Sequence, residues 1–173
     1  ELGVTVELLE PSGAEDREAA LRLFAARSFD LVIGVGFIFS TDVNEVARDF
    51  PAAKFACVDY APAPGGPIPA NVVGLGFREE EGSFLVGAVA GLVTTSRHLG
   101  FVGGMDIPLI HRFEEGYRAG ILKVCPDCVV HVGYAGTTPD AFRDPAKGKA
   151  IAINQISQGA DVVYHAAGTT GHG

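Results

Sequence analysis

Cys125-Pro-Asp-Cys128 sets two thiols at the spacing used by zinc knuckles and by redox-active disulfides. A zinc knuckle needs a second pair of ligands, and the remaining cysteine, Cys57, sits in the apolar run Phe55-Ala-Cys-Val58 as a small core residue. A thioredoxin-like site places the motif at a helix start after a strand, whereas here it closes a helix and precedes a strand. The pair is read as a local disulfide or as two idle thiols at a turn. The next candidates are carboxylates. Asp42, Asp59 and Asp106 each follow an apolar run, and a carboxylate can accept hydrogen bonds from hydroxyl or ring N–H donors. Asp42 reads equally as a helix cap, Asp59 as a residue holding a turn, and Asp106, ahead of Ile107-Pro108, as an N-cap. Phe142 offers a flat face for stacking or a plug for its loop. His165, ending an apolar strand, reads as a hydrogen-bonded core histidine.

Other motifs fall short of a reaction. Gly34-Val-Gly-Phe37 lacks the third glycine of the dinucleotide fingerprint, and Lys147-Gly-Lys149 lacks the glycine spacing of a phosphate loop. There is no G-x-S-x-G elbow, no H-E-x-x-H and no clear Ser/His/acid set. A non-catalytic protein is expected, with no cofactor and no resident metal.

The elements that must position these residues alternate regularly. Val4–Leu9 reads as a strand closed by Pro11-Ser-Gly13, and residues 14–27 as a helix with acids in its first turn. Strands follow at 31–35, 54–58 and 72–77, with a helix from Thr41 or Asp42 to Phe50 and a proline- and glycine-rich loop at 61–70. Phe84–Thr94 is apolar, with Gly82 before it and Gly87 and Gly91 within it. It is shorter than the roughly 18–20 residues of a membrane span, so a tightly packed core helix over about 79–93 is expected. Strands at 99–102, 129–134 and 161–165 then alternate with helices at 107–124 and 146–158. Continuous apolar strands between amphipathic helices predict a parallel sheet covered on both faces, with ligands beyond the carboxyl ends of the strands. Asp59 stands at such an end. The stretch between Thr94 and Leu99 reads as the lobe boundary.

Composition narrows the class. A formal net charge of −8 with interspersed signs argues against a nucleic-acid partner, and 47% hydrophobic residues with 20% charged ones exclude disorder.

Several stretches together resemble one family. Phe77-Arg-Glu-Glu-Glu-Gly-Ser-Phe-Leu-Val-Gly87, Gly100-Phe-Val-Gly-Gly-Met-Asp-Ile-Pro-Leu-Ile110, Arg112-Phe-Glu-Glu-Gly-Tyr117, Asp144-Pro-Ala-Lys-Gly-Lys149, Gln158-Gly-Ala-Asp-Val-Val163 and His165-Ala-Ala-Gly-Thr-Thr-Gly171 are similar to the basic membrane proteins, in collinear order. These are purine nucleoside-binding lipoproteins of bacterial ABC importers. The resemblance implies an α/β, periplasmic-binding-protein type 1 fold of two Rossmann-like lobes with parallel sheets, both incomplete in this chain. Residues 1–95 would form the N-terminal lobe, without its first strand and most of its first helix, and 96–173 the C-terminal lobe, without its C-terminal part. The absent front would carry a base-contacting polar residue and a stacking aromatic, and the absent back an Asp and a Lys on the ribose.

Carried over position by position, the resemblance puts the second-lobe stacking aromatic on Phe142 and a backbone contact to the sugar on Gly168. It puts a base-reading carboxylate on a first-lobe strand end, with Asp59 the first choice and Asp42 the second. Cys125 and Cys128 fall where family members usually have no cysteine. The implied partners are a purine nucleoside, the permease subunits of an ABC transporter, and the membrane through a lipid anchor outside this chain. The implied location is extracytoplasmic, at the cell membrane or in the periplasm. The alternative is a cytoplasmic ligand sensor or transcriptional activator built on the same lobes.

Overall fold

The computed structural model describes residues 3–61 and 66–173, so the middle of the loop expected at 61–70 lies outside the described residues. The chain forms two compact units, the first ending at Phe77 and the second running from Arg78 to Gly173.

In the first unit, α1 (Ala14–Ala26), β1 (Val32–Val35), α2 (Ser40–Asp49), β2 (Phe55–Val58) and β3 (Val72–Leu75) follow in order, and the strands pair in parallel as β1-β2-β3. Val43, Val46 and Ala47 recur at helical spacing and bury one stripe of α2 against Val32, Phe55 and Cys57. The Asn71 amide bridges the carbonyls of Ala47, Phe50 and Ala53 at 2.9–3.1 Å, closing the turn from α2 to β2.

Two expectations fail in this unit. Residues 4–9 form no strand and pair with none among the described residues, and Val6 is 82% exposed. Their alternating valines carry strand propensity, yet a strand exists only where a neighbour supplies the ladder. The sheet is also covered on one face only among the described residues. Ile33, Val35, Val73 and Leu75 are exposed on it.

In the second unit, α3 (Glu79–Val93) leads to β4 (His98–Met105), α4 (Pro108–Val124), β5 (Val129–Gly136), α5 (Pro145–Ser157) and β6 (Val162–Ala166), with the parallel order β5-β4-β6. Leu99, Phe101, Ile110, Tyr117, Ile121 and Cys128 form the core between the sheet and α4. Within the second unit α3 packs on α4. The two helices touch backbone to backbone: a Cβ on Gly87, Gly116 or Gly120 would strike a carbonyl of the facing helix. Gly87 and Gly91 of α3 do mark close packing, on α4, whereas a Cβ on Gly82 would meet nothing. The apolar side chains Leu85, Val89 and Leu92 of α3 are exposed.

Two clasps fix the ends of these elements. Cys125 and Cys128 form a disulfide across the turn from α4 to β5, the first of the two readings of that motif. The Asp161 carboxylate, at the start of β6, accepts from the Thr94 and Thr95 hydroxyls and from the amides of Thr95 and Ser96 at 2.6–2.9 Å. Led by the Thr94 bond, these contacts hold its carboxyl well below the usual aspartate range.

Candidate ligand-binding site

The carboxyl ends of β1 and β2 carry the first-unit candidates. α2 takes Phe39 as its N-cap, so Asp42 lies in the first turn and caps nothing. Arg17 Nε donates to Asp42 Oδ2 at 2.9 Å, with the two side chains only 17% and 18% exposed. Asp42 therefore ties α1 to α2. Asp59 follows the last residue of β2 at φ +57°, in the left-handed region, and is half-buried. Among the described residues no hydrogen bond or ion pair holds its carboxylate. Cys57, beneath it, is a fully buried thiol, pushed up by burial and further by the charge of Asp59.

In the second unit, β4 and β5 end beside the first turns of α4. Asp106 is not the N-cap expected from Ile107-Pro108: Ile107 takes that place, and His111 Nε2 lies 2.8 Å from Asp106 Oδ1. His111 Nδ1 is 3.0 Å from the Tyr134 hydroxyl, which donates to Glu114 Oε2 at 2.6 Å. Burial first, and then Glu114, push the Tyr134 phenol above its ordinary value. A phenol so held is a hydrogen-bond donor at neutral pH, not a nucleophile. Sequence reading missed this chain of contacts. His111 and Glu114 share a helix face at i, i+3, but only the parallel register brings Tyr134 to them.

Phe142 ends a 3-10 turn, Pro139–Phe142, half-buried with its ring against Gly104, where a Cβ would collide with it. Gly168 opens a second such turn, Gly168–His172, at φ +55°. A side chain is disfavoured there by conformation and by the Phe142 carbonyl, 3.2 Å from where a Cβ would sit. The two threonines after Gly168 join the turns. Thr169 donates to the Phe142 carbonyl at 2.7 Å; Thr170 donates to Ala141 and accepts from the Asp144 amide, both at 2.8 Å. Phe142 and Gly168 are thus brought together in the second unit. In the first, Asp59 is unengaged and Asp42 is committed to Arg17. His165 is not the core histidine expected: it is exposed, its ring packed over Gly171. Among the described residues no group of three or more His, Cys, Asp or Glu side chains could hold a metal ion.

A family model described as "ABC transporter substrate-binding protein PnrA-like", named Bmp, matches residues 1–173. The chain belongs to the Bmp family. The expected resemblance is therefore borne out. Among relatives, the CD4+ T-cell-stimulating antigen of Listeria monocytogenes is 38% identical over 165 residues, covering 95% of this chain and 44% of that protein. The ABC transporter nucleoside-binding protein BmpA of Lactococcus lactis is 33% identical over 171 residues, covering 99% of this chain and 46% of its own length. An ABC transporter solute-binding protein from Aeropyrum pernix K1, of known crystal structure, superposes with a TM-score of 0.78 at 31% identity over 98% of this chain and 48% of that one. The α/β periplasmic-binding-protein fold with parallel sheets agrees with this Bmp assignment. The chain spans less than half the length of these Bmp relatives.

Proposed function

We propose that this chain is part of an extracytoplasmic solute-binding protein of an ABC importer, which binds a purine nucleoside and delivers it to the permease. The observation that carries the ligand class is Asp59, a half-buried strand-end carboxylate in a left-handed conformation with no partner among the described residues. Such a group accepts from purine ring or exocyclic N–H donors and rejects acceptors. Phe142 would supply a face for the base, and the backbone at Gly168 a contact to the sugar. The remaining ribose contacts and a lipid anchor would lie outside residues 1–173. The printed name of the Lactococcus lactis relative supports the nucleoside reading.

The disulfide favours this reading over a cytoplasmic sensor. A Cys125–Cys128 bond persists in an oxidising compartment and is rare in the cytosol. The test is calorimetric titration of the full-length protein with adenosine, guanosine, inosine, cytidine and ribose. Purine nucleosides should bind, and Asp59→Asn should weaken them by about ten- to a hundredfold, the scale of a hydrogen bond to a charged acceptor. Binding of ribose or cytidine as tight as that of every purine nucleoside would refute the purine assignment.

A further inference from the structure

Asp59 holds a left-handed conformation, which aspartate tolerates better than most side chains and which its neighbours hold in place. What fixes Asp59 is visible in the next two residues. The Tyr60 amide donates to the Leu75 carbonyl at 3.2 Å, and the Tyr60 phenol donates to Asn44 Oδ1 at 2.6 Å. The Tyr60 ring lies over Gly74, where a Cβ would collide with it. The Ala61 amide donates to Ser40 Oγ at 3.0 Å, and the buried Ser40 hydroxyl donates in turn to the Phe37 carbonyl at 2.7 Å. Ser40 and Asn44 stand at i and i+4, on one face of α2, so one helical turn grips both residues after Asp59. Asp59 alone in this turn is left with an unengaged side chain among the described residues.

We propose that Tyr60 is a positioning residue for ligand recognition. By bonding Asn44 while lying on Gly74, it holds the strand-end turn so that the Asp59 carboxylate faces a purine's N–H donors. This rests on the reading of Asp59 given above. The role belongs to the phenol oxygen and not to the ring alone, because a phenylalanine would still cover Gly74. A purely structural Tyr60 would change stability and leave base preference untouched.

The experiment compares the full-length protein with Tyr60→Phe, Asn44→Ala, the pair combined, Asp59→Asn, and Tyr60→Phe combined with Asp59→Asn. Dissociation constants for adenosine, guanosine and inosine are measured by calorimetry. Tyr60→Phe and Asn44→Ala should each weaken binding by about three- to tenfold, the worth of one neutral hydrogen bond. The loss should be unequal among the bases, in the order shown by Asp59→Asn. Combining Tyr60→Phe with Asn44→Ala should add nothing, because both delete one bond, and Tyr60→Phe should add nothing to Asp59→Asn. If Asp59→Asn weakens binding while Tyr60→Phe and Asn44→Ala bind like the wild type, the positioning role is overturned and the reading of Asp59 stands. Full additivity of Tyr60→Phe with Asp59→Asn overturns it as well. If Asp59→Asn changes no affinity, the reading of Asp59 fails and the positioning role falls with it. Melting curves check that each variant folds, and Asn44→Ala interrogates the same bond from the helix side should Tyr60→Phe not fold.

Discussion

Thr170, fully buried, donates its hydroxyl to the carbonyl of Ala141 at 2.8 Å, so the loop that ends in Phe142 is held by a residue 29 positions later. The same oxygen accepts the Asp144 amide, at the N-cap of α5. Thr170→Val keeps the shape but strands the buried Ala141 carbonyl and the part-buried Asp144 amide. We expect a loss of about 1–3 kcal/mol of stability, the cost of leaving a buried group unsatisfied. Urea denaturation of the full-length protein checks it, and an unchanged midpoint would show that water replaces the hydroxyl.

Phe142→Ala tests the ring that this clamp presents. If one face rests on Gly104 and the other meets a base, removal should weaken nucleoside binding by about 1–3 kcal/mol, the range for base–aromatic stacking. Equal affinities for wild type and variant by calorimetry would return Phe142 to a packing role.

Much of the fold was legible because apolar periodicity reports which face of an element is buried. Val43, Val46 and Ala47 mark α2 by spacing alone. What such a pattern omits is the partner. Val4, Val6 and Leu8 alternate like a strand and have no ladder among the described residues; Gly87 foretold a close contact without naming the Tyr117 backbone of α4 as its other side. In the site, strand-end position correctly set Asp59 and Phe142 at loops beside the sheets. It could not distinguish Asp59 from Asp42, because their difference lies in Arg17, a residue of another helix. Asp106 was read as a cap because an early proline, Pro108, follows it, yet Ile107, with extended backbone, takes the N-cap place.

Alkaline pH should reveal two phenols, the fully buried Tyr117 and the half-buried Tyr134. Tyr117 and Tyr134 are both raised above the ordinary 10.0, chiefly by burial. Above pH 10 the unfolded chain loses these protons while the folded chain keeps them, so stability is full below that pH and falls as pH rises through the folded values. Tyr117 Oη also lacks a hydrogen-bond partner among the described residues. Tyr117→Phe should therefore leave stability at pH 7 unchanged or raise it, and flatten the alkaline fall. Melting temperatures between pH 7 and about 11 decide this; a parallel decline in both proteins would contradict it.

The disulfide should stabilise by limiting the unfolded chain. For so short a loop the entropic contribution is about 2 kcal/mol. Replacing both Cys125 and Cys128 by alanine should cost that much, and a reductant should lower the urea midpoint of the wild type but not of the variant. Mass spectrometry after alkylation should find Cys57 as the free thiol once the chain is unfolded. Alkylation at Cys125 without prior reduction would contradict the bond.

Asp59 and Asp42 make the sharpest contrast, because the same substitution should do opposite things at the two positions. Asp42→Asn removes the charge that meets Arg17, and with both side chains less than a fifth exposed it leaves a guanidinium poorly compensated. We expect a stability loss of about 1–3 kcal/mol and unchanged nucleoside affinity. Asp59→Asn breaks no contact among the described residues, and asparagine tolerates the left-handed region as aspartate does. Its stability should hold while purine affinity falls. Denaturation and calorimetry on the two variants, in the full-length protein, separate the roles. Loss of affinity at Asp42 with none at Asp59 would move the base-reading carboxylate to α2, and would mean that the Arg17 pair opens when ligand binds.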